Sequence, residues 1–414
     1  MTVDAEHAPT LESLLLYADA DPDERAIAPP LYQTVPFAAA SADEFAAMND
    51  RPLPERAYRR NGNPTQRRLE KVVARLEGAE AAVATASGMG AMTTAILALL
   101  ESGDHVVAQR SGYGGTLTLL QKLAPRFGVT TTFVDQTDVA AFEGALTPRT
   151  RLIVLETPSN PLLQLTDLAA VAAVARARGI LTLVDNTIAT PVDQRPLALG
   201  VDLVMHSVTK ALSGHSDVLA GIVAGRREIV ERIWDTHVVV GAVISPFDAW
   251  LALRGIRTLA MRVEWQDRLA LSVARFLEGH AAITRVNYPG LESHPQHDLA
   301  RRQMRGHGSV VSFELDGGFA AADAFVGSLR LAQRSSSLGG TRSLVVQPAA
   351  MWAHYMDDEH LDDAGVPPGL VRLSVGLDNE TDLISDLDRA LGAADAGRRA
   401  AARVGQALRG SRGA

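Results

Sequence analysis

The chain has 414 residues, 40 basic against 48 acidic side chains, a net charge of −8 and 47% hydrophobic residues. That length builds a large core, expected as one large domain plus a smaller one, and the acidic balance leaves no electrostatic footprint for nucleic acid. With no cysteine there is no disulfide, thiolate metal site or cysteine nucleophile; no apolar run approaches the ~20 residues of a membrane span, and the polar, acidic start MTVDAEHAPTLES resembles no targeting segment, so a cytoplasmic protein is expected.

Residues 1–65 are rich in proline, alanine and charge, show little periodicity and read as an extended arm. From residue 66 short β-branched runs alternate with helical stretches. Strands are predicted at 81–85, 105–109, 130–134, 151–156, 180–186, 202–207 and 218–225. Amphipathic or alanine-rich segments such as GAMTTAILALLESG lie between several of them. Strands alternating with helices predict βαβ units, hence an α/β fold with a mostly parallel sheet covered on both faces. After Pro246 a long helical stretch leads into a second, smaller α/β segment, with strands near 309–315, 331–335, 343–347 and 371–376. The basic, small-residue tail 396–414 reads as a frayed helix or disordered.

In parallel sheets, ligands sit at the carboxyl ends of the strands, and the unusual residues fall there. Ser87-Gly88-Met89-Gly90 follows a strand and opens a helix. Backbone amides at a helix N-terminus can hold phosphate, and the other reading is a plain strand–helix turn. A dinucleotide fingerprint fails because its third glycine position is Thr93. Tyr113 follows a strand end and is either a half-buried turn residue or an aromatic platform with a hydroxyl for proton transfer. Asp185 ends the apolar run LTLV. It either caps the next turn or presents a fixed anion to a cationic group.

Lys210 lies in SVTKALSGHSD (207–217). The chain has only Lys71, Lys122 and Lys210, and its other 37 basic residues are arginine. A lysine kept where arginine is the rule suits chemistry that needs an amine able to lose its proton, such as a Schiff base. The other reading is a partly exposed surface lysine. His206, His215 and Asp217 share no sharp ligand spacing, so no metal is expected.

Taken in order, these segments resemble the pyridoxal-phosphate (PLP) enzymes of cysteine and methionine metabolism: the cystathionine γ-synthase, cystathionine γ-lyase and methionine γ-lyase group. The matching segments are YRRNGNPT (58–65), SGM (87–89), YGGT (113–116), ETPSNP (156–161), VDNT (184–187), SVTKALSGHSD (207–217), SPFDAWLALRG (245–255), PGL and SHPQH within 289–297, SLGG (337–340) and LVRLSVGL (370–377). The resemblance runs from about residue 8 to 393. It implies fold type I, aspartate-aminotransferase-like, with a PLP-binding domain at 66–258 and a C-terminal domain at 259–395.

The resemblance also implies roles. Lys210 is the Schiff-base lysine and proton shuttle, and Asp185 pairs with the pyridinium nitrogen, keeping it an electron sink. The Gly88 and Met89 amides at the Ser87 turn, with the Ser207 and Thr209 hydroxyls, hold the phosphate. Tyr113 stacks on the ring and aids leaving-group departure, and Asn160 contacts the ring hydroxyl. Arg372 and the Ser337 backbone bind the substrate α-carboxylate. Tyr58 and Arg60 reach the phosphate of a neighbouring subunit, in a homotetramer with shared active sites. The implied reaction is elimination at the γ-carbon of an L-amino acid, through an imine, a carbanion and a β,γ-unsaturated intermediate. The alternatives are γ-replacement on an activated homoserine ester and, from another class, a catalytically silent binding protein on this fold.

Departures from the pattern cluster late in the chain. Where the family usually has an acidic residue after SLGG and a position, Arg342 stands; Gln347 replaces a common histidine, and Trp352 a small polar residue. An N-terminal histidine is also missing around 15–19. Arg342 and Gln347 are either drift or determinants of a specificity for an anionic, neutral or halogen-like γ-substituent, as in a specialised pathway.

Overall fold

The computed structural model describes residues 10–19, 25–50, 52–352 and 365–394. A seven-stranded sheet contains β1 (Ala81–Thr85), β2 (His105–Gln109), β3 (Thr130–Val134), β4 (Thr150–Glu156), β5 (Leu181–Asp185), β6 (Leu203–His206) and β7 (Gly221–Gly225). Their order is β1-β7-β6-β5-β4-β2-β3; β7 runs antiparallel to both neighbours and the other pairs are parallel. Strands β1, β2 and β7 are buried along their whole length, as expected for a sheet covered on both faces.

A second sheet of five strands has the order β10-β11-β12-β9-β8, built from β8 (Ile283–Asn287), β9 (Val310–Leu315), β10 (Gln333–Arg334), β11 (Leu344–Val346) and β12 (Leu370–Ser374). It is antiparallel except for β10 with β11. The helix Leu259–Glu278 joins the two cores: Leu259, Ala260 and Val263 pack beneath the first sheet, and Leu269, Ala270, Val273 and Leu277 under the second. The helix thus passes from one hydrophobic core to the other along its length.

Two local expectations are revised, and one strand, β8, was not anticipated. The strand anticipated at 218–225 begins only at Gly221, because the backbone N–H and carbonyl of Ala220 are both taken by the Thr209 hydroxyl. Strand β8, ITRVN, has no alternating pattern, since its middle residues are exposed and polar. The region 1–65 is not uniformly extended: among its described residues it carries the short helices Leu11–Tyr17 and Ala42–Ala47. The tail 396–414 lies outside the described residues.

Glycines allow close approach at the carboxyl edge of the first sheet. A Cβ on Gly221 would lie 2.2 Å from the Ser87 carbonyl oxygen, and one on Gly88 would lie 2.9 Å from the Ser207 Cβ. These two positions let the turn after β1, the start of β7 and the loop after β6 meet at one point.

Candidate active site

At that edge lies a cavity of about 680 Å³, lined by eleven of the residues singled out from the sequence. Ser87, Gly88 and Met89 come from the turn after β1, Tyr113 from the loop after β2 and Asn160 from the loop after β4. Asp185 is the last residue of β5, and Ser207, Thr209 and Lys210 follow β6. Ser337 and Arg372 reach in from the second sheet's side.

Ser87 caps the helix Gly88–Leu99, its hydroxyl accepting from the Gly90 amide at 2.9 Å. The amides of Gly88 and Met89 fall in the first turn, ahead of any intrahelical acceptor, so the positive helix end opens on the cavity. Ser207 is held by its own amide, which donates to the Thr187 hydroxyl at 2.8 Å. Thr209 is less available than its motif suggests. Its hydroxyl donates to the Ala220 carbonyl at 3.1 Å, and a phosphate contact would have to exchange that bond.

The Lys210 ammonium donates to the Ser337 hydroxyl at 2.9 Å. Its pKa is lowered to about 8, first by burial, then by the Arg372 guanidinium, against the opposing pull of Asp185. Ser337 sits at φ +93°, a left-handed conformation that costs a non-glycine residue about 1–3 kcal/mol. In that pose its hydroxyl faces Lys210 and its carbonyl accepts from Arg372 Nη2 at 2.9 Å. Arg372 Nη1 donates to Asn160 Oδ1 at 2.9 Å, and Nε is buried with no partner.

Asp185 makes the turn bond of the capping reading, accepting from the Thr187 amide at 3.0 Å, and is also open to the cavity. Burial pushes its carboxyl above the ordinary range, against the Thr187 hydrogen bonds and the charges of His206 and Lys210. Tyr113 is 45% exposed and stands over the cavity at the start of the helix Gly114–Thr118. Gly115 makes room for it, since a Cβ there would lie 2.5 Å from Tyr113 Cε1.

Four of the residues singled out lie elsewhere. Tyr58 and Arg60 are exposed, with the guanidinium 5.2 Å from the Tyr58 ring centroid, and do not line the chain's own cavity. Arg342 is exposed, and Gln347 is buried with its amide donating to the Phe319 carbonyl at 3.2 Å; neither faces the cavity. The side chain of Trp352 lies outside the described residues. His206 pairs with Glu77 Oε1 at 2.6 Å, and among the described residues no three His, Cys, Asp or Glu side chains gather as metal ligands.

One buried acid was passed over. Glu156 ends β4 as Asp185 ends β5, and the two pair in register. The reason that marked Asp185, a carboxylate ending an apolar strand, applies equally to RLIVLE.

The donor set fits PLP. An amine of depressed pKa suits the aldehyde, a buried carboxyl lining the cavity suits a protonated ring nitrogen whose charge would offset the cost of its ionisation, and a helix N-terminus shaped by Gly88 suits the phosphate. Comparison with known proteins agrees. Residues 12–392 match the family described as Cys/Met metabolism PLP-dependent enzyme. An L-methionine gamma-lyase of Fusobacterium nucleatum subsp. polymorphum is 42% identical, covering 94% of this chain and 96% of its own. An O-succinylhomoserine sulfhydrylase of Pseudomonas aeruginosa is also 42% identical, covering 88% and 90%. A cystathionine gamma synthase structure from Xanthomonas oryzae pv. oryzae superimposes with a TM-score of 0.89 at 39% identity, covering 94% and 100%.

Proposed function

The chain belongs to the Cys/Met metabolism PLP-dependent enzymes, and on that premise we propose that it catalyses γ-elimination from an L-amino acid carrying an uncharged γ-substituent. The observation that carries this reading is the composition of the cavity wall. Among the described residues its charged groups are Lys210, Arg372, Asp185 and Glu156; the first three serve the α-proton, the substrate carboxylate and the ring, and the Glu156 oxygens are taken by two backbone amides. No further carboxylate remains for a distal substrate ammonium, and Leu219, Leu338 and Met351 offer apolar surface instead. Arg342 lies away from the cavity.

Bound, PLP supplies a sink for the electron pair left when the α-proton departs. The Arg372 fork binds the substrate carboxylate; its partnerless Nε is a donor in waiting. Lys210 Nζ takes the proton from Cα and returns it further along the chain. The Asp185 carboxylate keeps the ring nitrogen protonated. Tyr113 lines the same cavity, and its hydroxyl would protonate the departing γ-substituent. Arg372→Lys keeps the charge and loses the planar fork, so KM for the amino acid rises about tenfold or more while kcat changes less. Steady-state kinetics on the purified variant checks this.

A second reading is γ-replacement on an activated homoserine ester. It is favoured by the sulfhydrylase relative, as similar as the lyase. Mass spectrometry of products from L-methionine, L-cystathionine and O-succinyl-L-homoserine, each with and without a thiol, separates the two. Ammonia and a 2-oxo acid from L-methionine without added thiol support elimination. A thioether product formed only with thiol, and no 2-oxo acid, supports replacement and overturns the first reading.

We also read the working form as a cytoplasmic homotetramer in which Tyr58 and Arg60, exposed on their own chain, reach a neighbour's phosphate site. Among the described residues no helix is long and apolar enough to cross a membrane.

A further inference from the structure

Glu156 is 8% exposed and borders the cavity. Each of its oxygens takes one backbone amide: Oε2 accepts from Tyr113 at 2.7 Å and Oε1 from Asn160 at 2.6 Å. The two donors belong to different loops, one after β2 and one after β4. The Glu156 amide is itself fixed, donating to Gln109 Oε1 at 2.6 Å. From Asn160 the connection continues through Arg372 to Ser337 and Lys210, each step a 2.9 Å hydrogen bond.

We propose that Glu156 is a positioning residue, a two-ended clamp that sets Tyr113 over the cofactor ring and Asn160 against the substrate-binding arginine at the same time. The inference rests on the roles given above to Tyr113, Arg372 and Lys210. A carboxylate is the side chain this geometry calls for, because two N–H donors converge and two acceptor oxygens meet them. Glutamine offers one acceptor, and its NH2 would face the second backbone N–H. The arrangement works against the local electrostatics. Burial, then the charge of Asp185, push the Glu156 carboxyl up to about 8, opposed by the Tyr113 and Asn160 amides and by Arg372. A second acid placed beside Asp185 at that expense is explained by what its two oxygens hold. Gly112 completes the fit, since a Cβ there would lie 3.3 Å from Oε2.

The test uses holoenzyme of the parent, Glu156→Gln and Glu156→Asp, with bound PLP quantified. The readouts are the circular dichroism of the cofactor absorption band per bound cofactor, kcat per bound cofactor, and KM for L-methionine or for whichever substrate the parent turns over. A clamp predicts that both variants lose at least about half of the dichroism per cofactor, with kcat down and KM up by about tenfold or more between them. Aspartate keeps the carboxyl group and falls a methylene short, so it behaves like glutamine if reach is what matters. Two outcomes overturn the clamp. One is Glu156→Asp keeping the parent's dichroism and kinetics. The other is both variants melting at lower temperature while dichroism, kcat and KM per bound cofactor stay at parental values, which marks a merely structural carboxylate. If the parent itself shows no cofactor band or no amino-acid turnover, the failure lies with the functional reading instead.

Discussion

Lys210→Ala is expected to abolish turnover, with a loss on the order of 10⁴-fold or more, while PLP still binds without a covalent link. The Lys210 amine is asked to capture the cofactor aldehyde and then to move the substrate proton, and a single positioned acid–base group is worth about 10²–10⁴ by itself. The site is tuned for this. Burial and Arg372 bring the amine to about 8, so near pH 8 half of it is neutral. A lysine at its ordinary 10.5 would be almost wholly protonated there. The sign follows directly. Below pH 8 the protonated form dominates, so covalent capture of PLP by cofactor-stripped enzyme slows about tenfold per pH unit and levels off above about pH 8. Lys210→Arg keeps the bulk and charge and loses the removable proton, so it fails equally. Stopped-flow absorbance measures the capture, and 2-oxo acid release measures turnover. Either variant turning over within tenfold of the parent would end the assignment.

Much of this was legible in the chain because physical expense marks it. A lysine in a chain with only two others, and an aspartate ending an apolar strand, both stand against a simple background. The first sheet's strands were readable because β-branched runs bounded by helical segments leave little alternative, and β1, β2 and β3 fall at the predicted residues. Strand β8 was invisible since it is exposed and polar through its middle. The start of the strand anticipated at 218–225 depends on a side chain eleven residues away in sequence, Thr209, which no local pattern reports.

Arg342 and Gln347 show the opposite limit. Their change of residue type was conspicuous, and the fold turns one toward solvent and the other to the Phe319 carbonyl. Which face of a short strand or turn meets a cavity is decided by tertiary packing, so an unusual residue close in sequence to SLGG need not be close to the ligand. Glu156 was missed for a different reason. It lay inside a recognised motif, where a carboxylate ending an apolar strand drew no notice of its own, and the distances to Tyr113 and Asn160 show what its oxygens hold.

Asp185→Asn is predicted to lower kcat on the order of 10²–10³-fold, the size of effect that follows loss of one preorganised hydrogen-bond donor to developing charge, while cofactor content stays near parental. An amide is the same size and cannot hold a proton on the ring nitrogen, so the electron sink weakens without loss of the cavity's shape. The stripped protein should respond in the opposite sense. Burial raises the folded-state pKa of Asp185 above its ordinary value, so its ionisation opposes folding. Stability associated with this group is fully present at low pH, where it is protonated in both states, and is lost as pH rises through the raised folded-state value. At neutral pH the cofactor-free variant should therefore melt above the cofactor-free parent, and the gap should close as pH falls toward the ordinary carboxylate range. Loaded with PLP the order should reverse or vanish, because the ring nitrogen then supplies the missing cation. Differential scanning fluorimetry of stripped and loaded forms across pH, beside kcat, reads all three. A variant with parental kcat, or one whose stripped form melts below the parent at neutral pH, would show that Asp185 serves the turn it makes with Thr187 and not the cofactor.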